Sequence, residues 1–155
     1  MLISGKGEAM WRNYGQVTRP EGQWVRTTGM VSIIGLEQRL DAFRAFAVAA
    51  DRASKTGLRF GVELEPDPTH AETTNALKVI GVAHSKGFFS GPKEHKWELG
   101  HIWHSIADEI YRDLTSQGVP IAAELSSIHA DVNDPEVKLY LLAPKGHSQR
   151  DRGRQ

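Results

Sequence analysis

Cysteine is absent from the 155 residues, which excludes a disulfide framework, a thiolate nucleophile and a cysteine-zinc cluster. Long hydrophobic runs are missing too. No stretch nears the roughly 18 apolar residues of a membrane-spanning helix, and the opening residues, Ser4, Gly5, Lys6, Gly7 and Glu8 among them, do not build the apolar run of a secretion signal. A cytoplasmic, non-membrane protein is the expectation. Nor is there an excess of one charge, since nineteen basic residues balance nineteen acidic ones, so the long-range field of strongly basic nucleic-acid binders is lacking. A phosphate-binding loop is also missing, Gly5-Lys6-Gly7 being too short, and no Ser-His-Asp arrangement is suggested locally. These absences predict no enzyme and no cofactor.

What is present is a globular composition, 39% hydrophobic and 25% charged, in a length that suits one domain. Residues 1–27 carry glycine, polar residues and scattered aromatics (Trp11, Tyr14, Trp24) without periodicity, and read as an N-terminal extension. Residues 145–155 are polar and basic and read as a disordered tail, which leaves 28–144 as the folded domain. Lys6, Arg12, Arg19 and Arg26 near the start, and Arg150, Arg152 and Arg154 near the end, form locally basic stretches within the neutral whole.

Periodicity predicts the elements. Val31, Ile33 and Ile34 mark a buried strand over 30–36, followed by steps of three and four through Leu36, Leu40, Phe43, Ala47 and Ala50, the stripe of an amphipathic helix stopped by Gly57. Alternation through Leu58, Phe60, Val62 and Leu64 predicts a half-buried strand. Pro66 and Pro68 impose a loop, a strand follows over 75–82, and 83–96 reads as a turn-rich insertion carrying Phe88 and Phe89. A strand over 97–102, a helix over 105–117 closed by Gly118, and two strands around Ile121–Leu125 and Val137–Leu141 complete an order β-α-β-β-β-α-β-β.

Three segments in this order resemble the HIRAN family. They are Ile33-Ile34-Gly35 at a strand end, the loop from Asp67-Pro68 to Asn75-Ala76, and Leu99-Gly100-His101-Ile102 leading into a helix. The resemblance implies an α+β, mainly β fold: a small six-stranded barrel of the OB/SH3-like kind with two helices. It also implies a nucleic-acid-binding module for single-stranded DNA ends or damaged DNA, accessory to DNA processing and repair, gripping a 3′ end between the loop and the first strand's end. Carried over by position, the family's stacking tyrosine falls on Glu72, its end-binding aspartate on Thr73, and its Arg-Tyr pair on Glu37 and Gln38. His101 and His104 stand where the family often has polar or basic residues, and Lys78 and Arg39 are further candidates for backbone contact.

Other readings compete. His104 and Asp108 lie one helical turn apart, yet no third ligand is identifiable and no metal is expected. Trp97 and Trp103 have the character of core residues, which leaves Phe88 and Phe89 as the better candidates for stacking on bases. A protein-interaction module using Phe43 and Phe46, or Phe88 and Phe89, is the alternative function, and the zero net charge with Glu37 and Glu72 favours it.

Overall fold

The computed structural model describes residues 11–87, 89 and 91–153. Lys6, Phe88 and Arg154, named above, lie outside them. The chain runs β1 (Trp11–Asn13), β2 (Trp24–Ser32), α1 (Leu40–Thr56), β3 (Phe60–Pro66), β4 (Leu77–Ser85), β5 (Lys93–His101), α2 (His104–Asp113), β6 (Ala122–His129), β7 (Glu136–Pro144) and a final turn of helix, α3 (Gln149–Arg152).

Hydrogen bonding sorts the strands into two antiparallel sheets, β1-β6-β7-β2 and β3-β4-β5. The α+β, mainly β class expected from the sequence is present. A closed barrel is not: among the described residues no ladder joins β3 to β6, although these strands lie side by side, and at the other seam the sheets meet through a single bridge, Ile34 to His101. The inner faces of both sheets bury Val79, Leu99, Leu125, Leu139 and Leu141, and the apolar stripe of α1 packs into the same core through Phe43, Phe46, Ala50 and Ala53. Phe43 and Phe46 are 1% and 0% exposed, so they are not available as a docking surface. Gly81 is the contact that lets α1 approach β4, since a Cβ there would sit 2.6 Å from the Phe46 ring.

The ordered region extends on both sides of 28–144. β1 pairs with β6, Tyr14 stacks edge-on against Phe60 at 4.8 Å, and Thr18 is buried with its hydroxyl bonded to both Leu125 N and Leu125 O. The periodicity of this segment is invisible because it contributes single anchors rather than a repeating face. The fully buried carboxylate of Glu124 holds it from inside, taking Arg19 at 2.6 Å and Arg26 at 2.7 Å. Burial alone would raise this carboxyl, but the Arg26 and Arg19 hydrogen bonds outweigh burial and hold it below the ordinary range. The tail is likewise tied down: Ser148 caps α3, and the Arg152 guanidinium, 7% exposed, donates to Thr27 and Asp113 and lies 3.1 Å from Glu109.

The segment 83–96 is mostly ladder rather than insertion. β4 and β5 run on as a hairpin to Ser85 and Lys93, and the outer half of β5, Lys93 to Lys96, is exposed, so it carries no apolar alternation to read.

Candidate functional site

Gly100 brings two of the three motif segments together. A Cβ on it would stand 2.2 Å from the Ile34 carbonyl oxygen and 2.8 Å from Ile33 Cγ2, so only glycine lets the ends of β2 and β5 touch. There Ile34 N donates to the His101 carbonyl at 2.8 Å and His101 N to the Ile34 carbonyl at 3.0 Å. A register shift between Val79 and Ile80 bends the ladder just before this point, and Ile102 N is caught by the Leu77 carbonyl. Ile102 is buried, so the next residue, Trp103, is turned outward at the mouth of α2 with 48% of its surface exposed.

The third segment closes over the same place. Asp67 N donates to the Ala76 carbonyl, closing the prolyl loop, and Asp108 of α2 pins its exit by accepting from Thr73 Oγ1 at 2.5 Å and Asn75 Nδ2 at 3.2 Å. These two bonds, Thr73 first, hold the Asp108 carboxyl below its usual range. At the loop's start the Asp67 carboxylate meets His101 Nε2 at 2.8 Å and accepts from Thr69 Oγ1 at 3.1 Å, and the His101 bond is the main reason its acidity is increased. The His70 ring stands 4.4 Å from that of His101, and the Glu72 amide donates to His70 Nδ1, which fixes that nitrogen as an acceptor.

Between these walls lies an open cleft of about 370 Å³. Of the eight residues proposed from the sequence, Gln38, Glu72, His101 and His104 line it together. Thr73 is turned away to Asp108 and works as an anchor of the loop. Glu37 is exposed on the short turn after Gly35 and is not part of the lining. Lys78 and Arg39 converge instead on one carboxylate, Glu98, with Lys78 at 2.8 Å. That pairing raises the pKa of Lys78 and lowers that of Glu98, so both cations are paired with one carboxylate.

Sequence reasoning missed three contributors: Trp103, His70 and Asp67. Trp103 is not a core residue. Its indole is exposed, stands 4.3 Å from the His104 ring, and lines the cleft beside Ile34, which is 46% exposed. The signal that could have found it is its place directly after the buried Leu99 and Ile102, where alternation and the helix start turn it to solvent. Of the insertion pair, Phe89 is exposed. Among the described residues the one group of three metal-ligating side chains is His129, Asp134 and Glu136 on the β6–β7 turn, and His104 with Asp108 gains no third ligand.

No family model matches the chain, and no curated protein matches it. Two solved structures are similar to it. A protein from Lactobacillus plantarum shares 20% identity over 77% of this chain and 94% of its own, with a TM-score of 0.46. The HIRAN domain of human HLTF shares 12% identity over 87% of this chain and 88% of its own, with a TM-score of 0.40. The family named from the sequence is thus also that of one of these two structures.

Proposed function

We propose that this chain is a binding module for single-stranded nucleic acid, not an enzyme, and that the cleft under the prolyl loop receives a base and its adjoining phosphate. The observation that carries this reading is the exposed Trp103 indole beside His104, His101 and Gln38, in a cleft with an apolar wall at Ile34. A flat ring flanked by hydrogen-bond donors is what an unstacked base needs, and stacking on such a ring is worth about 1 to 3 kcal/mol per base. The stacking partner then comes from the β5–α2 turn, whereas the family's tyrosine position in the loop holds Glu72. The three segments that resemble HIRAN proteins are the three that build this cleft, which favours the same reading. We read the frame around it as a six-stranded barrel left open along the β3–β6 seam, with β1 added at the edge.

The reading extends to the end of a single strand, in the service of DNA processing. A terminal hydroxyl would be bonded by Gln38 and by His101, whose ring is held from behind by Asp67. Titration of fluorescently labelled single-stranded DNA, with free or blocked 3′ ends and at two salt concentrations, tests it. Binding that weakens with salt, weakens on blocking the end, and falls about fivefold or more in Trp103→Ala is the expected outcome. Equal affinity of Trp103→Ala and the parent would remove the cleft from the account.

A further inference from the structure

A second cleft, of about 400 Å³, lies at the other end of α1, between its last turns and the β4–β5 hairpin. Its floor is apolar and flat: Leu58, Ala83 and the Trp97 indole, which is packed from behind by Phe46 at 6.0 Å. The His95 ring lies beside that indole, tilted only 26° from it with centroids 6.0 Å apart, and its Nε2 meets Ser85 Oγ at 2.9 Å. The rim carries Arg52 and Lys86, both exposed and neither in an ion pair among the described residues. The acids within reach are already engaged. Glu94 lies 3.2 Å from His84 and 3.6 Å from Lys96, and Asp51 lies 2.9 Å from Lys55 and 3.4 Å from Arg12.

We infer that this second cleft takes a nucleobase with its adjoining phosphate, the ring against Trp97 and His95 and the phosphate between Arg52 and Lys86. The volume is that of a small-ligand site, the slot offers a planar apolar face, and the two uncommitted charges are both positive, which selects an anion carrying a flat ring. The contrast with the first cleft is chemical: Lys78 and Arg39 do not line it and are spent on Glu98, while here Arg52 and Lys86 line the cleft and are open.

Two sources could supply this unit, a free nucleotide or a second point on the strand held by the first cleft. His95 and His101 are six residues apart on β5, roughly 20 Å at about 3.3 Å per residue, a span within reach of the strand lengths of about 4 to 16 nucleotides that small barrel domains cover. The strand version rests on the function proposed above, but the chemistry of the second cleft does not.

The test uses the full chain and two probes, an oligothymidylate of about 12 nucleotides and thymidine monophosphate, against the parent, Arg52→Glu, Lys86→Glu and Trp103→Ala. The two charge reversals are on exposed side chains and leave the Trp97 packing intact. A loss of about fivefold or more in oligonucleotide affinity in both reversals supports the strand version. A loss confined to the monophosphate supports the free nucleotide as occupant. Both reversals binding both probes as the parent does, or a parent that binds neither, would overturn the inference. Trp103→Ala separates the two clefts. If it alone weakens binding, the first cleft stands without the second, and if only the reversals do so, the second stands without the first.

Discussion

His101 works through its backbone and its ring at once. Its amide and carbonyl clamp Ile34, which joins the two sheets, and its Nε2 meets Asp67, which holds the prolyl loop at the cleft. The backbone clamp needs a residue without a side chain at position 100, because the Ile34 carbonyl occupies the space a Cβ would fill. Gly100→Ala is therefore expected to destabilise the fold by roughly 1 to 3 kcal/mol, the usual cost of forcing atoms into a closed contact. A urea titration checks this, and an unchanged midpoint would mean that the seam carries no stability. At this scale the sequence was informative about which residues matter and less so about how. The sequence marks His101 and His104 as polar residues at a helix entrance, but the partner of His101 lies 34 positions away and has no local signal. Its position in the motif points Thr73 to the ligand, whereas its hydroxyl serves Asp108.

Among the elements, the prolyl loop and α2 behave as one unit. Asp108 receives Thr73 and Asn75, so one helix side chain orders the far end of a loop whose near end is ordered by His101. Asp108→Ala should leave α2 in place, since its buried face is Ala107 and Ile110, while freeing the loop. The expected readout is faster amide hydrogen exchange over 67–76 with little change over β6 and β7, and equal protection in variant and parent would contradict the linkage. The elements legible in the sequence were those with a buried stripe. α1 and α2 declare themselves through 3.6-residue spacing, and β3, β6 and β7 through alternation. β1 and α3 did not, because each is held by a few polar or aromatic contacts. The outer β5 strand did not either, because Lys93 to Lys96 are exposed. The three segments that build the cleft are all visible as motifs, but the sequence reads Trp103 as core, since tryptophans in strands and turns of small domains mostly fill core.

For the molecule as a whole, balanced charge conceals uneven use of it. Asp67, Glu98, Asp108, Asp113 and Glu124 all have their pKa held below the ordinary carboxylate value by hydrogen bonds from His, Lys, Thr, Asn and Arg partners spread over both sheets and α2. A carboxyl whose folded value is depressed contributes stability that is complete above its unfolded value and lost as pH falls through the lower folded one. The melting temperature should therefore begin to fall once pH drops below about 4, where unfolded carboxylates protonate. A melting temperature that stays level through that window would contradict the assigned pairings. No described helix is long and apolar enough to cross a membrane.

The most direct test of the central claim is a map of amide chemical shifts as single-stranded DNA is added to the isotopically labelled chain. The account predicts perturbations concentrated at residues 34–38, 70–72 and 101–104, with the Trp103 indole signal among the largest. Shifts that leave those segments still while moving others, or a spectrum unchanged by DNA at low salt, would contradict it.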